Sequence, residues 1–428
     1  MVKMSGPPPT SPARPIYRIP FFDNLLFFLL FSGPPSLRHR DSAASIHSEI
    51  DTAIAFQLAV WGIAGLWVGY RFWTLSGRRI FWSRFTSTQK LATIFIGLLG
   101  MSTFVSFAPP LTAVKVYQVA VAMLFCWTFL QLYGLENCLT RIFWGSVILC
   151  VVIAGLAILS PDSVWDFTDA FPRLRGGAIA GTNSVSAFAI ILLLARPGRL
   201  SHITAALGLT FFSVLQFLSL TRTSWLALAV IFLVAAIRRP EIRGLNWVYG
   251  TIVLGIVALL SGGLALINEY RDPGSIYDLS RRVGLWAYMS DVVMHDSPWL
   301  GLGYTAATRV LGAEFDPDLA AGHSIFFEVF IGGGFLSLGV FIALFIRLGS
   351  HAVKALRRSR NANVFAVCSL FLYALIMGAV GETIDTSPFA LTFWMVTSML
   401  PSLIASPCAA DMSRRIPSRR SLAAPHML

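Results

Sequence analysis

The chain has 428 residues, 56% of them hydrophobic and only 13% charged, with a mean hydropathy of +0.70. That composition excludes a soluble domain, and continuous apolar runs in place of short alternating strands exclude a transmembrane barrel. The net charge of +12 does not point to nucleic acid, because the lysines and arginines gather in short loops between apolar runs and in both tails, the pattern that orients a membrane protein.

Residues 1–20 are proline-rich and basic and read as a disordered cytoplasmic tail. The run FFDNLLFFLLFS, 21–32, is short and interrupted by Asp23 and Asn24, and is read as a first helix. Further spans are predicted near 53–70, 91–108, 113–133, 142–159, 178–195, 202–219, 224–237, 247–267, 324–346, 363–380 and 387–405. The fold class is therefore all-α: a polytopic integral membrane protein of about twelve spans with both ends cytoplasmic. Of the 33 lysines and arginines, 23 fall on the proposed inner side and 10 outside, which supports this orientation. The sections are N-terminal helices over 21–172, helices with arginine motifs over 173–267, a long external loop over 268–323, C-terminal helices over 324–405, and a basic cytoplasmic tail over 406–428. Cys126, Cys138, Cys150, Cys368 and Cys408 lie in or beside spans, with no zinc spacing and no disulfide framework.

Within the long loop, polarity is dense for a chain this apolar. Residues 279–295 have helical period: Arg282, Trp286, Met289 and Val293 fall at i, i+4, i+7 and i+11, so an arginine heads an apolar stripe. Asp278 or Ser280 can cap the start, and Pro298, Gly301 and Gly303 end it. The expectation is an amphipathic helix of roughly 25 Å, lying on the bilayer or closing over a cavity. Its bland alternative is an interfacial helix whose arginines hold lipid headgroups.

Three further external places stand out. In SLTRTSW, 219–225, Arg222 interrupts apolar sequence without a glycine or proline to make an exposed loop. An arginine at that depth costs about 2.5–3.5 kcal/mol on insertion scales, so an anionic partner is expected, with snorkelling to a lipid phosphate as the alternative. In RLRGGAIAGTN, 173–183, Arg173 and Arg175 stand at the mouth of a span and Asn183 just inside it; the plain reading is a basic loop with a capping asparagine. In AGHSIFFEVFIGGG, 321–334, His323 and Ser324 stand where the loop re-enters the membrane, either as chemistry or as a simple cap, and Glu328 follows. Gly332, Gly333, Gly334 and Gly339 would let a neighbouring helix approach closely.

Arginine forks suit phosphate oxygens, and histidine suits proton transfer near neutral pH. No phosphate loop, dinucleotide fingerprint or HExxH is present, and Asp316 and Asp318 lack the rest of a calcium loop.

Over about 173–345 the motifs together resemble the O-antigen ligase and polysaccharide polymerase superfamily. Arg222 before an apolar helix resembles its first arginine motif, and RRVGLW with DSPWLGLGY, 281–304, its arginine–tryptophan helix and following turn. His323–Ser324 with Gly332 downstream resembles its histidine motif, and RLRGGAIAGTN its arginine–glycine–asparagine segment. Ser324 replaces a more frequent asparagine, and GTN stands where a proline often precedes the asparagine. The resemblance implies an inner-membrane glycosyltransferase with its site facing the periplasm, acting on undecaprenyl-diphosphate-linked oligosaccharides without a metal or other cofactor. Arg222 and Arg282 would hold the diphosphate, and His323 would accept the acceptor's proton or orient its hydroxyl. Arg173, Arg175, Asn183, Arg281, Trp286 and Ser324 would contact substrate. Membrane lipid and polysaccharide export or chain-length proteins are the expected partners, and nucleic acid is not. A transporter of polysaccharide intermediates is the rival; it would carry polar groups mid-membrane on broken helices, whereas these spans are nearly charge-free in their middles. Ligase and polymerase share the donor site. The loop over 268–323 holds four arginines against eight acids, which suits a neutral repeat unit better than a phosphorylated lipid A core.

Overall fold

The computed structural model describes residues 19–33, 52–76, 86–166, 172–174, 181–195, 202–238, 282–315, 324–380 and 388–405. These form twelve α-helices and one small ribbon. The helices are α1 (Phe21–Ser32), α2 (Thr52–Ser76), α3 (Ser87–Met101), α4 (Pro109–Leu159), α5 (Thr182–Ala195), α6 (His202–Leu218), α7 (Arg222–Arg238), α8 (Arg282–Asp296), α9 (Ala306–Phe315), α10 (Ile325–Arg358), α11 (Ala362–Val380) and α12 (Pro388–Ala405). The ribbon pairs β1 (Trp165–Asp166) with β2 (Arg173–Leu174). Among the described residues, four helical stretches are long and apolar enough to cross a membrane: Ser87–Val105, Pro109–Leu159, Ile325–Arg358 and Ala362–Ala379. Five shorter helices are also apolar. The fold is all-helical and suits a membrane protein. The expected span 247–267 and both tails lie outside the described residues.

Local chemistry sets the boundaries. α3 begins earlier than the apolar run because Thr86 and Gln89 form a reciprocal cap: Thr86 Oγ1 accepts from the Gln89 amide (3.4 Å), and Gln89 Oε1 accepts from the Thr86 amide (2.7 Å). The two spans expected over 113–159 are joined without a loop. α4 runs through 51 residues and breaks at Gly134 alone, at φ 76° and ψ 169°, a region open essentially only to glycine. Asn137 Nδ2 donates to the Tyr133 carbonyl freed by that break (2.9 Å). Phe27 of α1 meets Phe125 and Phe129 before the break, and Phe31 meets Gly145 after it, so α4 folds back along α1.

Asp23 in α1 accepts from Trp67 Nε1 (2.9 Å), from Arg71 (2.8 Å) and from the Tyr133 hydroxyl. The acid that interrupts the first apolar run is thus the buried centre of a polar cluster. The start of α1, the end of α2 and the end of the first half of α4 meet there, on one side of the bundle, as an alternating arrangement requires. Arg347 near the end of α10 likewise bonds Ser87 at the start of α3.

At the opposite end, α10 breaks at Gly334 (φ 65°, ψ −170°). In a continuous helix the carbonyls of Ile331 and Gly332 would accept from the amides of Phe335 and Leu336. Here the turn after α8 fills the gap. Leu302 N donates to Ile331 O (2.9 Å) and Gly303 N to Gly332 O (3.1 Å), while Phe335 N donates to Pro298 O (2.9 Å) and Leu336 N to Trp299 O (3.3 Å). These four backbone groups at the break are thereby satisfied, as an apolar surrounding demands. A Cβ on Gly301 would stand 2.5 Å from the backbone of Gly332 and Gly333, so this contact is possible only between glycines. Gly332 and Gly334 therefore admit the turn after α8, while Gly333 admits the neighbouring helix α3, where a Cβ would stand 2.8 Å from the Leu99 side chain; a Cβ on Gly339 would meet nothing within 4 Å.

Candidate functional site

α8 is built much as its periodicity predicts. Leu285, Met289 and Val293 of α8 are fully buried against Leu302, Ala307, Leu311 and Ile331. The apolar stripe thus covers α9 and the first turns of α10, so it faces protein and not the bilayer. Trp286 stacks on Phe327 of α10, with centroids 4.7 Å apart and planes 13° from parallel. The ring expected to contact substrate packs on protein in this structure, and the stack fixes α8 over α10. The proposed caps Asp278 and Ser280 lie outside the described residues.

Arg282, the first residue of α8, is half-buried. Its pKa is lowered, first by burial and then by the charge of Arg173. Arg173 stands on β2, whose neighbour Leu174 is fully buried in the core. Two arginine motifs far apart in sequence thus come within electrostatic reach of each other. Like charges held together at partial burial raise each other's cost, and a polyanion between them lowers it. β2 also packs on α6, the helix that leads into Arg222.

The backbone of Arg222 opens α7 after a tight turn in which Leu220 adopts φ 50°. A left-handed conformation is uncommon outside glycine and marks a place where surroundings dictate the backbone. Thr305, at φ 62° between the inserted turn and α9, is a second such position, and unusual for a β-branched residue. Thr305 Oγ1 donates to Glu328 Oε1 (3.3 Å), and Glu328 is only 3% exposed. A carboxyl group therefore sits buried in the first turn of α10, against the residue that leads into α9.

Ser324 takes the plain role: it is the N-cap of α10, its Oγ accepting from the Phe327 amide (3.5 Å). Asn183 is half-buried at the second position of α5, not at its cap, and its carbonyl accepts from the Tyr373 hydroxyl (3.2 Å). Arg175, Arg281 and His323 lie outside the described residues. Of the site residues expected from sequence, Arg173 and Arg282 are brought together, and Asn183 and the backbone of Arg222 stand at the starts of neighbouring helices.

Sequence reasoning passed over Tyr373, Gln216 and Ser224, all buried. The available signal was a polar side chain inside an apolar span, which averaging over a span conceals. No protein-family model matches this chain, and no curated protein matches it.

Proposed function

We propose that this protein is a membrane glycosyltransferase that transfers oligosaccharides from a lipid diphosphate carrier at the outer face of the bacterial inner membrane. The observation that carries the reading is the convergence of Arg173 and Arg282, beside the helix that delivers Arg222. A diphosphate leaving group develops charge as its bond to the sugar breaks, and guanidinium forks suit its oxygens. In this reading twelve spans place the site on the periplasmic side. The acceptor hydroxyl attacks the anomeric carbon, the carrier diphosphate departs onto Arg222 and Arg282, and His323 takes the hydroxyl proton. Arginines supply the positive charge that a metal would otherwise provide.

The acidic balance of 268–323 favours polymerisation of neutral repeat units over ligation to an anionic core. The break in α10 is a feature that suits a transporter, yet the turn 298–303 fills it, which weighs against a substrate path there. Deleting the protein from its cell tests the reading. Loss of polymer with single repeats left on their carrier or acceptor is expected. Full-length chains stranded on the carrier would make it a ligase, and unchanged polymer would overturn the proposal.

A further inference from the structure

Two polar relays cross the apolar bundle and bracket Arg222. In the first, Ser186 Oγ of α5 is hydrogen-bonded to Gln216 Oε1 of α6 (2.7 Å), sharing its proton with the Thr182 carbonyl (2.6 Å), and Gln216 Nε2 donates to Ser219 Oγ (3.5 Å). Ser219 Oγ returns to the Gln216 carbonyl (2.7 Å), and Thr221 Oγ1 donates to the Ser219 carbonyl (3.2 Å). These bonds set the turn in which Leu220 is left-handed, immediately before Arg222. The second relay begins two residues after Arg222. The Tyr373 hydroxyl donates its single proton to the Asn183 carbonyl (3.2 Å), which can only accept. Ser224 Oγ, 2.9 Å from the same hydroxyl, must then be the donor to it. Ser186, Gln216, Ser224 and Tyr373 are all fully buried, and Phe188 packs edge-on against the Tyr373 ring.

Polar pairs between spans often serve only to hold helices together. Here both relays end within the first five residues of α5, on the chain that continues from the Arg173 strand, and both begin within three residues of Arg222. We infer that Tyr373 and Gln216 are positioning residues, which lock the start of α7 to the start of α5 and so hold Arg222 in register with the anion site containing Arg173. The inference rests on the reading that Arg222 binds the carrier diphosphate.

The test is binding of undecaprenyl diphosphate to the purified full chain in lipid nanodiscs. Tyr373→Phe keeps the ring and removes only the hydroxyl. It is expected to weaken binding about tenfold, Ser224→Ala to do the same, and the double variant to lose no more than either, because the two share one relay. In an Arg222→Lys background, Tyr373→Phe is expected to change nothing further. Undiminished affinity in Tyr373→Phe, or a further tenfold loss on top of Arg222→Lys, overturns the positioning role and leaves the diphosphate reading intact. Failure of the wild-type chain to bind the probe overturns both.

Discussion

The two ends of the helix bundle treat arginine in opposite ways. At one end Arg71 meets the buried carboxylate of Asp23, which also accepts from Trp67 and Tyr133. The cation there is neutralised by a partner built into the fold. At the other end Arg282 is brought near a second cation, Arg173, on a helix locked in place by a backbone insertion and a ring stack. The first arrangement ties three helices to one acid and serves the fold, whereas two cations held in one neighbourhood, as in the second, favour an anionic ligand.

Substitutions at the two ends should therefore separate stability from activity. The largest effect is expected from Asp23→Ala, which leaves Arg71, Trp67 and Tyr133 without their acceptor. Breaking a buried pair costs about 3–5 kcal/mol, and about 3 is expected here because Arg71 keeps 26% of its side chain exposed. Unfolding measurements should register that loss, while transfer per folded molecule stays near normal. If Asp23→Ala instead abolished transfer in protein of normal stability, the two ends would not differ as described.

Arg282→Lys comes next. It keeps the charge and loses the planar fork, and about a 100-fold fall in transfer rate is expected, equivalent to about 2.7 kcal/mol in the transition state. Unfolding of this variant should stay close to wild type, since the charge and most of the aliphatic stem are kept. Full activity would remove Arg282 from the anion site.

The glycines sharpen the contrast further. Gly334→Ala forces a side chain into a left-handed position against the Trp299 backbone and should destabilise by about 2 kcal/mol. Gly339→Ala, five residues on in open space, should stabilise by up to about 1 kcal/mol through helix propensity. Comparable losses at both positions would mean that the inserted turn does not hold α10. Orientation is tested by thiol labelling: a cysteine at 310 should label from outside, and cysteines within 350–361 only from inside.

How legible this was in the sequence varies with the kind of force involved. The α8 stripe was readable because burial leaves a period: Met289 and Val293 lie where the spacing puts them, with Leu285 beside them. The start of α3 carried a local cap signal in Thr86 and Gln89. The meeting of the turn 298–303 with 331–336 was not readable, because it is made by backbone groups whose glycines say only that something comes close. Asp23 was visible as an anomaly, but its partners come from two other helices. Tyr373 and Gln216 were hidden because one polar atom hardly changes the hydropathy of a span. The convergence of Arg173 and Arg282 had a signal in each motif separately and none in their distance.

The most direct test of the central claim is transfer by the purified chain from an undecaprenyl-diphosphate-linked oligosaccharide, with the metal chelator EDTA present throughout. Wild-type protein is expected to lengthen or relocate the oligosaccharide and release undecaprenyl diphosphate, and Arg282→Lys to do so about 100-fold more slowly. No transfer by wild type with or without magnesium, or equal rates for the two proteins, would contradict an arginine-held diphosphate as the centre of this protein's chemistry.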